Sequence, residues 1–202
     1  MNVRIACLTL TGTLLTFGAL SCGNTASSTD PSAHTSTPET AAVQPHTNHD
    51  TDVAPAPRTQ GEPAAVIPDF TFYILRSGIQ FTKSDLAQKG NRVFILFDPT
   101  CSHCQHEASH LGTHYNEVKD ANFYFVSMND PALMSTFLET HAKELVGKPN
   151  VELLYDKNAE FINKFHIPSQ YPAVYIYGAN GQLKEYWDGE RKIADVVAAI
   201  RR

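Results

Sequence analysis

The chain has 202 residues, 42% of them hydrophobic, and a formal net charge of −5. That length holds one ordinary domain with extensions, and the lack of a basic stripe argues against a nucleic-acid partner. The composition is uneven: only Phe17 among all Phe and Tyr residues precedes Phe70, and six of the 12 prolines lie between Cys22 and Ala64. The part able to build a core therefore begins near residue 65.

The chain opens with Arg4 and the amino terminus as positive charges, then runs apolar over 16 residues, 5–20. This stretch is short for a membrane-spanning helix and is diluted by Thr and Gly, which predicts a removable signal peptide over residues 1–21. Ala19 and Ser21 are small enough for cleavage before Cys22. The Ser21-Cys22-Gly23 segment resembles the lipobox of bacterial lipoproteins, although Leu20 stands two residues before the cysteine instead of three. The resemblance implies a lipid on Cys22, a membrane anchor and a place on the periplasmic side of a cell envelope, in either membrane. Cysteine parity agrees, because Cys101 and Cys104 can pair and an unmodified Cys22 would be an odd thiol in an exported protein. Residues 23–63 hold no aromatic residue, Leu, Ile or Met. Residues 22–63 are thus expected to form a lipidated cysteine and a disordered tether, in which His34, His46 and His49 are ordinary polar residues.

From residue 64 the pattern is that of a folded domain, 64–202. Phe70, Phe72 and Ile74 alternate as in a strand, Ser77-Gly78 marks a turn, and Gln80-Phe81-Thr82 follows as a second strand. Ser84 is placed to cap a short helix through Ala87, which Lys89-Gly90-Asn91 ends. Arg92 to Phe97 is an apolar run suited to a central strand covered on both faces. Cys104 to Val118 reads as a helix with Cys104, Ala108, Leu111, Tyr115 and Val118 on one face. Phe123 to Ser127 is a second buried strand, Pro131 to Leu145 is helical, Val151 to Tyr155 is a short strand and Asn158 to Phe165 a short helix. Ala173 to Tyr177 and Gln182 to Trp187 form a hairpin around Asn180-Gly181. Ile193 to Ile200 is a closing helix. Strands alternating with helices before a terminal hairpin predict an α/β fold with a central mixed sheet.

The chemistry centres on Phe97-Asp98-Pro99-Thr100-Cys101-Ser102-His103-Cys104, where the buried strand gives way to a helix. Free N–H groups and the positive dipole end at a helix N-terminus favour a thiolate, the attacking form of cysteine. Cys101 is expected exposed at the helix start, and Cys104, one turn in, shielded and able to resolve a mixed disulfide. His103 adds positive charge beside them. Without a second Cys pair a zinc site built from four cysteines is excluded, and Gln105 after Cys104 excludes c-type haem attachment.

Taken together, Ile67-Pro68-Asp69-Phe70, the strand leading into Cys101-Ser102-His103-Cys104, Glu107, the segment Phe165 to Pro172 and the closing hairpin resemble the thioredoxin superfamily. More narrowly they resemble its TlpA/ResA-like extracytoplasmic thiol–disulfide oxidoreductases. The resemblance implies a thioredoxin fold with an N-terminal β extension and a redox-active Cys101–Cys104 disulfide as the only redox group, with no cofactor. It also implies an acid at Glu107 near the cysteines and a cis-proline at Pro172, with Pro168 as the competing position. Its implied partners are proteins with thiols or disulfides and a membrane electron donor of the thioredoxin-relay type. Thr100 replaces the usual Trp and His103 the common Pro, an arrangement reminiscent of oxidising Dsb-type proteins, so both directions of electron flow stay open.

His103, His106, His110 and His114 share a flank of the same helix, spanning about 80° of arc. This is either a solvated polar face or a copper or zinc site, so a metal-binding or delivery module is an alternative function, although the CxxxC of copper chaperones of related fold is absent. A thiol peroxidase is the other alternative, but its signature Thr stands three residues before the reactive Cys, whereas Thr100 is adjacent to Cys101.

Overall fold

A computed structural model describes residues 61–202. The expected signal peptide, the lipidated Cys22 and nearly all of the tether lie outside the described residues. Seven strands form one mixed sheet: β1 (Thr71–Ile74), β2 (Gln80–Thr82), β3 (Arg92–Leu96), β4 (Asn122–Ser127), β5 (Val151–Tyr155), β6 (Ala173–Tyr177) and β7 (Leu183–Asp188), in the order β2-β1-β5-β4-β3-β6-β7. β3, β4 and β5 are parallel neighbours, and every other pairing is antiparallel. Among the described residues no helix is long and apolar enough to cross a membrane.

β3 lies inside the sheet between β4 and β6, and every one of its residues is buried. Its side chains alternate between two cores, as strand geometry requires. Val93, Ile95 and Phe97 face the helices α1 (Ser102–Thr113), α4 (Phe137–His141) and α5 (Ile193–Arg201), whose Ala108, Leu111, Phe137, Val196 and Ile200 fill that side. Phe94 and Leu96 face an aromatic cluster built on Phe70, Phe72, Phe161, Phe165, Tyr175 and Tyr177. Arg92, within the apolar run, is also buried and spends its guanidinium on the Ala87 and Gly178 carbonyls, at 2.8 and 3.4 Å. The N-terminal extension is laid along β7, with Ile67 N donating to Gly181 O and Leu183 N to Ala65 O.

Several expected helices are shorter than their sequence pattern. Thr82, not Ser84, opens the segment after β2: Asp85 accepts from the Thr82 N–H and hydroxyl at 2.8 Å each, and only a 3-10 turn, Lys83–Asp85, follows. The helix after Cys101 breaks at His114 and resumes as α2 (Tyr115–Val118). There Thr113 Oγ1 and His114 Nδ1 donate to the Ser109 and His110 carbonyls, so side chains compete for acceptors in the last turn. The 131–145 stretch divides into α3 (Pro131–Met134), α4 and a 3-10 turn, Lys143–Leu145. Asp130 caps α3, and Ser135 Oγ bonds back to Ala132 O where it stops. Asn158 to Phe165 contains a π-helical turn, Phe161–Phe165, begun by the buried Asp156 carboxylate, which accepts from the Glu160 and Phe161 N–H groups at 2.8 and 2.7 Å.

Candidate active site

β3 delivers the chain to Cys101, the residue that caps α1. Asp98 shapes the loop between them, its Oδ1 accepting from both the Thr100 N–H and hydroxyl at 2.7 Å. Burial works to raise the Asp98 pKa, but the bonds from Thr100 and Asn129 outweigh it and leave the carboxyl below its ordinary value. Cys101 N donates to Asp98 O, and Cys101 O accepts from Gln105 N, which closes the first turn of α1. Cys101 is half-buried and Cys104 fully buried, both as free thiols.

The two sulfurs therefore differ in environment. Burial pushes the Cys104 thiol far above its usual range, and the nearby Cys101 adds to the effect despite a bond from the Asp98 backbone. Glu107, one turn further along α1, is 1% exposed. Neither of its carboxylate oxygens has a hydrogen-bond partner among the described residues. Burial, helped by the charge of Glu190, lifts its pKa from 4.5 to about 7. Such a group holds or releases a proton near neutral pH, as a general acid or base must.

The Tyr171–Pro172 bond is the cis peptide among the described residues, and Pro168 does not share that geometry. β6 begins at Ala173, paired with Leu96 of β3, so the sheet brings the proline loop to the strand end that leads to Cys101. Tyr171 packs against the same core as Cys101, and its hydroxyl pKa is raised by burial and then by the charges of Asp98 and Cys104. Asp188 Oδ2 holds the loop from β7, accepting from the Ser169 N–H and hydroxyl at 2.7 Å each. Gly189 N donates to Pro172 O at 2.7 Å.

His103 Nδ1 donates to Glu190 Oε2 at 2.7 Å. His106 approaches the same oxygen, and His110 lies near enough to help depress the Glu190 pKa, for which the His103 bond is the largest cause. His114, at the helix break, caps His110 O instead, so the expected four-histidine flank divides three and one. Sequence reasoning missed Glu190 and Asp188. Both lie more than 80 residues from Cys104 along the chain, and no local pattern marks them.

The AhpC/TSA family matches residues 63–186, more than half of the chain. No curated protein matches. Among solved structures, the fold is similar to a secreted Mycobacterium tuberculosis disulfide oxidoreductase homologous to E. coli DsbE, at 20% identity and TM-score 0.54, covering 65% of this chain and 94% of that one. It is also similar to a thiol:disulfide interchange protein of the thioredoxin family from Chlorobium tepidum TLS, at 17% identity and TM-score 0.54, over 71% and 97% of the two chains. A third, copper-bound ScoI from Arabidopsis thaliana, shares 13% identity with TM-score 0.51 over 68% and 99%. At these identities the likenesses establish the thioredoxin fold alone.

The buried Glu107 makes a stability prediction. Its folded pKa lies above the unfolded value, so between pH 4.5 and about 7 the folded state holds a proton that the unfolded state has lost. Stability therefore falls as pH rises through that window, by about 3 kcal/mol in all, and levels off above it. In urea denaturation of the reduced protein, Glu107→Gln should match the parent near pH 4.5 and exceed it by about 3 kcal/mol at pH 8. A difference that does not change with pH contradicts the assignment. By the family match and the fold that carries it, the chain belongs to the AhpC/TSA family, built on a thioredoxin fold.

Proposed function

We propose that the chain is a thiol–disulfide oxidoreductase of the TlpA/ResA-like kind, reducing disulfides of envelope proteins through Cys101 and Cys104. The observation that carries this reading is the asymmetry of the pair: a half-buried cysteine capping α1, and a buried one beside a buried carboxyl with no hydrogen-bond partner among the described residues. The Cys101 thiolate, its proton already released to solvent, attacks one sulfur of a substrate disulfide; an S–S bond forms between them, the substrate S–S bond breaks, and one substrate sulfur leaves as a thiolate that takes up a proton from solvent. Cys104 then loses its proton to Glu107 and attacks Cys101 Sγ. The mixed disulfide breaks, the Cys101–Cys104 disulfide forms, and the second substrate thiol leaves with the proton. Two electrons and two protons have passed to the substrate. A membrane dithiol relay returns the protein to its reduced form.

The proline loop and Tyr171 border the face where a substrate peptide would lie. Asp98, not Thr, stands three residues before Cys101, which speaks against the peroxidase alternative. Placement in the envelope follows from the first 22 residues: cleavage before Cys22 and acylation of that cysteine would tether the domain to a membrane. The mass of membrane-extracted protein checks this; an N-terminus at Cys22 carrying lipid is expected, and an intact Met1 start excludes it.

Partner trapping tests the chemistry. In cells expressing each variant, Cys104→Ser should accumulate mixed disulfides with envelope proteins on non-reducing gels, while Cys101→Ser accumulates none. Trapping by Cys101→Ser instead reverses the roles of the thiols, and trapping by neither removes the proposed exchange function.

A further inference from the structure

Beside the dithiol, three side chains with metal-binding atoms converge on the exposed flank of α1. His103 Nδ1 lies 2.7 Å and His106 Nδ1 3.9 Å from one oxygen, Glu190 Oε2. The donor atoms of the three residues all fall within 4.8 Å of one another. The histidines are three residues apart on α1, hence on neighbouring turns of one face. Glu190 reaches them from the loop between β7 and α5, 87 residues along the chain from His103. The cluster stands at the rim of a groove of about 560 Å³ lined by His103, His110, Gln170, Tyr171, Gly189 and Glu190.

Two imidazoles and a carboxylate form a donor set for a borderline first-row dication, with both ligand types binding Zn2+ at about 2.0–2.2 Å. Tetrahedral geometry at those lengths places ligand atoms about 3.3–3.5 Å apart. The 2.7 Å pair must therefore part by about 0.6–0.8 Å, and no pair need close by more than about 1.5 Å. The His103 and His106 side chains are 63% and 62% exposed, so their rings can turn that far without disturbing the core. We propose that His103, His106 and Glu190 bind a zinc-like divalent transition-metal ion, with water in the open position. The ion takes the place of the hydrogen bond between His103 and Glu190. It ties α1 to the 189–192 loop, which Gly189 joins to the Pro172 carbonyl. The metal thus clamps the helix that carries the dithiol to the loop that faces it.

The site uses neither thiol, so it stands or falls separately from the exchange chemistry proposed above. The test is a Zn2+ titration by calorimetry on the full chain carrying Cys101→Ser and Cys104→Ser, with circular dichroism to verify folding. Further variants add Glu190→Gln, His106→Ala or His114→Ala. His34, His46 and His49 are present in every protein and set a common background. The parent should bind one Zn2+ at a site that weakens at least about tenfold with Glu190→Gln or His106→Ala. His114→Ala, whose imidazole caps His110 O, should bind as the parent does. Equal affinity in all four proteins overturns the proposal, as does no binding, or Zn2+ binding that requires Cys101 and Cys104.

Discussion

The site depends on the burial of β3 between β4 and β6. Only a strand covered on both faces and paired on both edges is held rigidly enough to fix where the next residues emerge. The parallel pairing with β4 and the antiparallel pairing with β6 meet at Leu96, opposite both Val126 and Ala173. One consequence is that Cys101 leaves the sheet at the end where Pro172 enters it. Another is that α1 starts at once, with Cys101 as its cap and Cys104 turned inward onto Ala108 and Leu111. A one-residue slip of β6 would exchange its two faces and move the proline loop off this end.

Burial then makes two neighbouring thiols chemically different. The same core that shields Cys104 shields Glu107, and low dielectric opposes charge on both. A thiol whose pKa is pushed up resists becoming a nucleophile, and a carboxylate whose pKa is pushed up becomes a better base. The rise at Glu107 offsets part of the larger rise at Cys104 when a proton passes between them, which is the physical reason to pair the two in the proposed exchange. Glu190 is coupled to this acid by charge while its own carboxylate is held by His103 and His106. The exposed histidine cluster and the buried acid thus feel a common group.

Much of this was legible in the sequence because it rests on local pattern. The run Arg92 to Phe97 ending before Cys101, the apolar stripe from Cys104, and the Asn180-Gly181 turn each specify an element from within a short segment. The helix breaks were less legible. The apolar spacing continues past His114 and Ser135, and only side-chain bonds back to carbonyls show why the backbone stops there. Glu190 was invisible for a different reason. Its role comes from the loop after β7 being folded against α1, a consequence of sheet order that no window of residues contains. Arg92 was absorbed into an apolar run because its aliphatic stem is buried like a hydrophobe while its tip finds two carbonyls.

In the proposed exchange, Glu107 takes the proton from Cys104 when the mixed disulfide is resolved. The direct measurement is rapid-mixing kinetics with a disulfide peptide, resolving attack by Cys101 from closure by Cys104, from about pH 5.5 to about 8.5. In the parent protein the closure rate should rise with an apparent pKa near 7, the value at which Glu107 becomes ionised. Glu107→Gln should slow closure at least about tenfold near pH 7.5 and remove that pH dependence, with the rate of attack nearly unchanged. Closure that is as fast in Glu107→Gln, or that keeps the same pH profile, rules out this role for Glu107.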